Sequence, residues 1–208
     1  MIIDIFLLAS WIGSVAFALS GFLVGVRTQL DIMGVFILAF ITANGGGIIR
    51  DVLIGQTPMA LQDISAIVLV LATFGFGMAL CWAKYLEVEK RGLFVISDSI
   101  GLVAFSLTGA LVGIDADLNL FGVTVLSFLT ATGGGILRDV LVNEVPSVFR
   151  SEFYGSVSIL VAFALFFLHH MGLESELTIT AIFVFALFLR LVAHKMGWSL
   201  PRLKFSND

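Results

Sequence analysis

The sequence is poor in charge and in cysteine, and each shortage excludes a class of protein. Only 12% of its 208 residues are charged, whereas a soluble domain carries about 25%. With 59% hydrophobic residues and a mean hydropathy of +1.10, the chain has more apolar surface than a water-soluble fold can bury. The one cysteine, Cys81, cannot form an intrachain disulfide and has no metal-ligand spacing around it. The lipid bilayer is therefore the expected solvent.

Catalytic and nucleotide-binding motifs are also lacking. The segment GGGIIRD has the glycines but not the lysine and hydroxyl residue of a P-loop, and it lies within an apolar run. No HExxH, Ser-His-Asp or paired-carboxylate hydrolase arrangement is present. The basic residues are too few for nucleic-acid binding. The sequence thus predicts no enzyme, no cofactor, no structural metal and no nucleic-acid partner.

Seven apolar stretches are long enough to cross a bilayer, for which a helix needs about 20 residues. They cover residues 3–26, 32–54, 64–83, 93–114, 119–142, 153–171 and 177–197. The N-terminus lacks the basic region of a signal peptide, so the first stretch is predicted to be retained. The prediction is an all-α integral membrane protein with seven transmembrane helices in a single transmembrane domain, residues 1–208.

The two halves of the chain repeat each other at an offset of 88 residues. The matching segments are FALSGFLVG (17–25) with FSLTGALVG (105–113), and ITANGGGIIRDVLIGQTP (41–58) with LTATGGGILRDVLVNEVP (129–146). Each unit, about residues 3–83 and 93–171, contains three spans, so the second must be inverted in the bilayer. Inverted repeats are a recurrent transporter architecture with the site at the repeat interface. The extra helix, about 177–197, has no counterpart.

Basic and aromatic residues predict the orientation in the membrane. Of the 11 Lys and Arg residues, all but Arg50 fall on one side: Arg27, Lys84, Lys90, Arg91, Arg138, Arg150, Arg190, Lys195, Arg202 and Lys204. The aromatic residues near the ends of spans on that side are Trp82, Tyr85, Tyr154 and Trp198. Basic residues favour the cytoplasmic side, and aromatic residues favour the interface. The N-terminus is therefore predicted outside and the C-terminus in the cytoplasm.

Each repeat carries a glycine triplet inside an apolar span. The triplets are Gly45, Gly46 and Gly47 in the second span and Gly133, Gly134 and Gly135 in the fifth. Because each glycine costs about 1 kcal/mol of helix propensity against alanine, we expect the two spans to be kinked or locally unwound. Irregular backbone at membrane depth must line a cavity or be buried in protein, and freed carbonyls can hold a transient K⁺ or Na⁺. The alternative is close helix packing through small residues.

An Arg-Asp pair follows each triplet, as Arg50-Asp51 and Arg138-Asp139. Neighbouring helical residues point about 100° apart, so we expect that neither pair is a self-contained salt bridge. Ionisable groups within a bundle face a cavity or each other. The pairs are predicted to form gates or charged vestibules near opposite membrane faces; the alternative is interfacial anchors with snorkelling arginines.

Other polar residues lie beside these motifs. Thr42, Asn44, Thr130 and Thr132 precede the triplets, and Asp98 lies near the start of the fourth span. The threonines either hydrate an ion or bond the carbonyl four residues back. Asp98 is either a pathway carboxylate or an interfacial one, and its repeat counterpart is Ser10. Gly21-x-x-x-Gly25 and Gly109-x-x-x-Gly113 match the GxxxG pattern and predict helix packing within the monomer.

The duplicated GGG-x-x-RD segments, the FALSG and FSLTG first spans and the three-plus-three-plus-one arrangement resemble the prokaryotic trimeric intracellular cation channels. Members of this two-repeat family also carry the label of glycine transporter. The resemblance covers about residues 3–197. It implies a homotrimer in a bacterial or archaeal plasma membrane, with membrane lipids around it. Each protomer would hold its own hourglass pore for K⁺ and Na⁺, constricted at the second and fifth spans.

The preferred functional hypothesis is a passive monovalent cation channel with its pore between the two repeats. Carbonyls and hydroxyls near the glycine triplets would replace part of the ion's hydration shell. Arg50 and Arg138 would act as electrostatic gates, and Asp51 and Asp139 would neutralise them. One alternative is a secondary transporter of a small amino acid such as glycine, in which arginine holds the carboxylate. A membrane scaffold without transport is a third.

Overall fold

The computed structural model describes residues 2–82, 91–150 and 153–198. Within them the chain forms nine helices: α1 (Ile2–Arg27), α2 (Ile32–Leu53), α3 (Met59–Gln62), α4 (Ser65–Trp82), α5 (Arg91–Asp115), α6 (Leu120–Leu141), α7 (Ser147–Arg150), α8 (Tyr154–His170) and α9 (Glu176–Met196). The seven long helices match the predicted spans to within two residues at each end. Six are long and apolar enough to cross a membrane, and α8 is a shorter apolar helix of 17 residues.

Some of the basic and aromatic residues that predict the orientation in the membrane are not among the residues that the structure describes. Lys84, Tyr85, Lys90 and the tail beyond residue 198, with Arg202 and Lys204, lie outside the described residues. Tyr154 and Arg190 are described, and both are buried inside the protein. The predicted place of Tyr154 at the lipid interface is wrong, because its side chain packs against neighbouring helices. The membrane side of Arg190 stays a prediction.

Local structure repeats at the same offset as the sequence. Asp31 accepts a hydrogen bond from the Gly34 amide at the start of α2, and Asn119 accepts one from the Gly122 amide at the start of α6. Such side-chain caps satisfy backbone donors that a helix start leaves free. Left-handed backbone also recurs, at Gln29 and Asp117 before these helices and at Gly55 and Asn143 after them. The turns therefore belong to the duplicated unit as much as the spans do.

Two equivalent pairs mark a pseudo-twofold axis between the repeats. Phe17 of α1 and Phe105 of α5 contact each other with ring centroids 5.3 Å apart. Gly46 of α2 faces Gly134 of α6. Contacts on either side of the glycines run in opposite directions along α2 and α6, as Gly45 meets Leu137 and Gly133 meets Ile49. The equivalent spans are thus antiparallel, as an inverted repeat requires.

The glycine triplets lie in unbroken helix. Both α2 and α6 run through their triplets without interruption, so the predicted local unwinding is wrong. A Cβ on Gly46 would meet the carbonyl oxygen of Thr130, and a Cβ on Gly134 would meet that of Thr42. The two helices cross so closely that only glycine fits. Here the packing interpretation is confirmed, and the gain from close contact offsets the propensity cost of glycine.

The GxxxG glycines pack α1 on α2 and α5 on α6. A Cβ on Gly25 would lie 3.1 Å from the Cα of Val35, and one on Gly113 would lie 3.1 Å from the Cα of Val123. The predicted role in packing within the monomer is confirmed. The seventh long helix, α9, packs through Ile179 and other residues into an apolar cluster with α5 and α8.

Candidate functional site

In each Arg-Asp motif the two neighbouring side chains form an ion pair. Arg50 Nε and Nη2 both lie 2.7 Å from Asp51 Oδ1, and Arg138 Nε and Nη2 both lie 2.8 Å from Asp139 Oδ1. The prediction that neither pair is a self-contained salt bridge is wrong for Arg50-Asp51, because the long arginine side chain turns its guanidinium back to the adjacent carboxylate. It holds for Arg138-Asp139, since Arg138 also binds Asp98. Two nitrogens on one carboxylate make a directional, charge-assisted contact.

The aspartates tie each arginine to the next short helix. Asp51 Oδ2 accepts a hydrogen bond of 2.8 Å from the Met59 amide, and Asp139 Oδ2 accepts one of 2.7 Å from the Ser147 amide. The acceptor oxygens lie at the ends of α2 and α6, whereas the donor amides begin α3 and α7. Each Arg-Asp pair is therefore joined by a hydrogen bond to the short helix at that end of its repeat.

An aromatic ring covers each guanidinium, and the two rings come from equivalent positions in the first helix of each repeat. Arg50 Cζ lies 5.7 Å from the centroid of Phe6, and Arg138 Cζ lies 4.9 Å from that of Phe94. Both distances fall within the range of a cation–π contact. Arginine, aspartate and phenylalanine form a constellation that occurs once in each repeat. We call these constellations the Arg50 site and the Arg138 site.

The Arg138 site has two further partners. Arg138 Nη1 lies 2.6 Å from Asp98 Oδ1 and donates a hydrogen bond of 2.5 Å to Ser20 Oγ. Ser20 belongs to α1, so the contact joins the two repeats across their interface. The Ser20 hydroxyl in turn donates to Asp98 Oδ1 at 3.3 Å. Arg138 is 0% exposed, and its guanidinium is held by two carboxylates, a hydroxyl and a ring.

The Arg50 site instead borders a cavity of about 60 Å3, which is large enough for water. Its lining includes Ser10, Ser14, Asn44, Gly47, Asp63 and Ala66. Ser10 stands where the second repeat has Asp98, and Ala66 stands where it has Tyr154. Small residues therefore leave open in the first repeat the volume that larger ones occupy in the second.

The predicted polar residues have different fates. The hydroxyls of Thr42, Thr130 and Thr132 donate to the carbonyls of Leu38, Leu126 and Phe128, each four residues back along the helix. Asn44 donates to the Phe40 carbonyl and also lines the cavity. Asp98 is a buried ion-pair partner of Arg138, so the prediction of an interfacial carboxylate is wrong. Asp98 belongs instead to the Arg138 site.

The glycine triplets also divide. Gly45, Gly46, Gly133 and Gly134 lie at the crossing of α2 and α6, where their backbone remains helical. The helices therefore free no carbonyls by unwinding. Transient K⁺ or Na⁺ near the triplets stays a prediction. Gly47 faces the cavity, and Gly135 faces the Tyr154 hydroxyl, which lies 3.3 Å from where its Cβ would be.

Sequence reasoning did not single out Ser20, Tyr154 or Arg190 as site residues. Ser20 is separated from Arg138 by 118 residues, and nothing in the local pattern marks it. Arg190 did carry a signal, because an ionisable residue well inside a predicted span is a functional candidate by default. Asp98 also carried one, since it is a charge at a position where the other repeat has serine.

One charged group lies at the mouth of the cavity. Asp63, in the turn between α3 and α4, accepts hydrogen bonds from the hydroxyl and the amide of Ser65. These two bonds lower the pKa of Asp63 below its ordinary value. The cavity mouth therefore keeps a negative charge at neutral pH. Among the residues that the structure describes, no group of three His, Cys, Asp or Glu side chains could hold a metal ion.

Comparison with known families agrees with this architecture. The family model described as "Glycine transporter" matches residues 7–84 and 95–170, one segment in each repeat. The chain belongs to this family. Two curated relatives are the membrane protein YvgT of Bacillus subtilis, 33% identical over 97% of this chain and 98% of its own, and a Deinococcus radiodurans membrane protein, 38% identical over 91% and 88%.

Solved structures of trimeric intracellular cation (TRIC) channels have the same fold. One such structure, which concerns the structural basis of conductance through TRIC cation channels, is 35% identical to this chain, with a TM-score of 0.81 over 100% of both chains. A prokaryotic TRIC channel in 0.5 M KCl is 32% identical, with a TM-score of 0.87 over 96% of this chain and 100% of its own. The resemblance to the prokaryotic TRIC family inferred from the GGG-x-x-RD segments is confirmed, and so is the fold of a multi-pass membrane protein.

Proposed function

We propose that this protein is a monovalent cation channel that conducts K⁺ and Na⁺ through a pathway inside each protomer, between the two repeats. The observation that carries the proposal is the unequal pair of arginine sites. The Arg50 site borders a cavity lined in part by polar side chains, whereas Arg138 is fully buried in a network that joins both repeats. Support also comes from the TRIC cation channels that share the fold.

The cavity offers a cation a favourable environment. Carboxylates of Asp51 and Asp63, the Asn44 amide and the hydroxyls of Ser10 and Ser14 surround it or lie at its edge. The positive charge of Arg50 is offset by the contact with Asp51. Oxygen ligands with a partly neutral local charge can replace some hydration without trapping the ion, which conduction requires. The source of these ligands is side chains rather than helix carbonyls.

The Arg138 site is the proposed gate. Its guanidinium bridges α6 of the second repeat to Ser20 on α1 of the first, and the whole side chain is buried at the repeat interface. A buried positive charge on the path repels cations unless it is paired or moves aside. Separating Arg138 from Asp98 and Ser20, while it stays on Asp139, would free the interface without leaving the arginine unpaired. The structure is thus assigned to the closed state.

The surroundings of the channel follow the same reasoning. The trimeric state named for the relatives is proposed here as a homotrimer, with one pore per protomer and membrane lipid around it. The bias of basic residues places the N-terminus outside and the C-terminus in the cytoplasm of a bacterial or archaeal plasma membrane. Arg27 of α1 and Glu144 after α6 are 2.9 Å apart, as expected when both lie on one side.

The second candidate is a secondary transporter of a small amino acid such as glycine. Arg50 borders a cavity and could hold a carboxylate there, and the family model carries the corresponding label. Against it, the guanidinium of Arg50 already holds the carboxylate of Asp51. A substrate carboxylate would have to displace a covalently tethered competitor. The channel therefore remains the preferred function.

Purified protein in planar bilayers with a K⁺ gradient tests the proposal. We expect discrete single-channel steps that reverse near the K⁺ potential and similar steps when Na⁺ replaces K⁺. Arg138→Ala should raise the open probability, and Arg50→Ala should change conductance. A silent bilayer together with saturable glycine uptake into liposomes of the same preparation would favour the transporter. Unchanged open probability and conductance in both arginine variants would rule out the gating role.

A further inference from the structure

Tyr154, the first residue of α8, is part of the wall around the Arg138 site. It is 2% exposed and packs in one apolar cluster with Phe17, Leu102 and Phe105. Its hydroxyl and Arg138 Nη2 both lie beside Gly135 of α6, at 3.3 Å and 3.7 Å from where a Gly135 Cβ would be. Tyr154 therefore connects the cluster at the pseudo-twofold axis with the buried charges.

Its repeat counterpart shows what Tyr154 does to the available space. The equivalent residue, Ala66, lines the cavity beside Arg50. A phenol in place of a methyl group fills this volume in the second repeat. Closure of the Arg138 site therefore depends on a ring as well as on ion pairs. Something must keep that ring in place.

The extra helix supplies this contact. Arg190 of α9 places its Cζ 4.9 Å from the centroid of the Tyr154 ring, and it is 4% exposed. A second contact joins the same two helix ends, because the rings of Phe153 and Trp198 meet edge to face at 6.2 Å. A guanidinium over an aromatic face fixes the ring by electrostatic attraction, which is strongest where water is excluded. Among the described residues, no helix follows α4 in the first repeat as α9 follows α8 in the second.

We propose that Arg190 is a positioning residue that holds Tyr154 against the Arg138 site and so makes α9 the helix that sets the gate. This rests on the proposed channel function. The network at Arg138 joins the two repeats, and the Arg190–Tyr154 contact ties that network to a helix outside both. Loss of the contact frees the phenol to leave the cluster. The Arg138 site then opens more often, although its own ion pairs are intact.

A double-substitution cycle on open probability tests this coupling. Arg190→Met keeps the length and apolar volume of the side chain but removes its charge, and Tyr154→Leu removes the ring. We expect Arg190→Met to raise open probability about fivefold in the native background and to have no further effect in Tyr154→Leu. Arg190→Lys should give an open probability between those of the native protein and Arg190→Met, since lysine keeps the charge without the planar group. Phe188→Leu, on the exposed face of α9, is the matched control and should leave the open probability unchanged.

A labelling readout separates this inference from the channel itself. Leu102→Cys, in a Cys81→Ser background, places a thiol in the cluster with Tyr154. Arg190→Met should speed its reaction with a water-soluble maleimide about fivefold, whether or not ions pass. An unchanged labelling rate, or an equal effect of Arg190→Met on open probability with and without Tyr154, would overturn the role of Arg190. A silent native protein with faster labelling would refute only the channel.

Discussion

Arg50 and Arg138 occupy the same position in two copies of one motif, and yet their surroundings differ. Both pair with the next aspartate, and both lie under a phenylalanine ring. Arg138 also holds Asp98 and Ser20, whereas Arg50 borders a cavity. The comparison separates what duplication supplies from what later divergence adds. Duplication supplies two charged helix ends; divergence decides which one is open.

Few positions account for the difference. Asp98 replaces Ser10, and Tyr154 replaces Ala66. Ser20 has Thr108 as its counterpart, and the Thr108 hydroxyl donates to the Phe105 carbonyl rather than to an arginine. Each replacement adds a partner or a volume on the Arg138 side. Substitutions at these positions should therefore move one site toward the other.

The largest difference should come from removing each arginine. Arg138→Met leaves two buried carboxylates, Asp98 and Asp139, without their cation, which costs about 3–5 kcal/mol. Arg50→Met leaves only Asp51, beside a cavity that water can enter, and should cost roughly half as much. Thermal unfolding of the two variants in the same detergent measures the contrast. Equal losses would mean that the additional partners of Arg138 do not contribute.

The helix crossing, by contrast, should respond symmetrically. Gly46→Ala and Gly134→Ala each direct a methyl group at a backbone carbonyl of the other helix, and overpacking of this kind costs about 1–3 kcal/mol. Both variants should lose stability by similar amounts in the same unfolding assay. Gly75→Ala in α4 is the control, because a Cβ there has no atom within 4 Å. A strongly unequal pair would place the crossing off the pseudo-twofold axis.

Exchanging the divergent residues should shift the gate. Asp98→Ser gives the second repeat the residue of the first and removes one partner of Arg138. We expect open probability to rise about tenfold, the factor that corresponds to about 1.4 kcal/mol. The reverse exchange, Ser10→Asp, should give Arg50 the second carboxylate partner that Arg138 has and fill part of the cavity, and this loss of space should lower conductance. Single-channel recording checks both, and unchanged conductance with Ser10→Asp would contradict the assignment of the cavity to the pathway.

The smallest effect is expected at the cavity mouth. Asp63→Asn removes a partly exposed negative charge and should lower K⁺ conductance by less than twofold at low salt, with no change at high salt, because charges in contact with solvent are screened. Since hydrogen bonds lower the pKa of Asp63, its charge persists as pH falls from 7 to 5 and is lost only below the ordinary aspartate range. The conductances of the native and Asp63→Asn proteins should therefore become equal only at a pH below the ordinary aspartate range. A difference that survives at high salt would place Asp63 inside the pathway.

The spans and their register were predictable because they follow from short-range properties. Hydropathy locates each helix, and the 88-residue offset pairs Arg50 with Arg138 before any coordinates exist. The predictions that the structure contradicts share one cause, which is tertiary contact. Whether a glycine triplet unwinds depends on what the helix packs against, and here Gly46 and Gly134 face each other. Intrinsic propensity describes an isolated helix, and tertiary contact overrides it.

The partners of Arg138 were less accessible to sequence reasoning. A flexible arginine can reach its neighbour, a residue on the next helix or one on the other repeat, and the rotamer is set by the whole interface. Asp98 was a candidate because it breaks the repeat, and the structure explains that break. Ser20 and Tyr154 are ordinary residues for apolar spans, so only their positions in the fold give them a role.

Cysteine accessibility at two repeat-equivalent positions tests the unequal sites most directly. Ser14 lines the cavity, and its counterpart Leu102 is buried near the Arg138 site. In proteoliposomes of the Cys81→Ser protein, with a water-soluble maleimide on both sides, Ser14→Cys should react at least tenfold faster than Leu102→Cys. Adding Asp98→Ser should speed only the second reaction. Equal rates in the otherwise native protein would contradict an open Arg50 site opposite a closed Arg138 site.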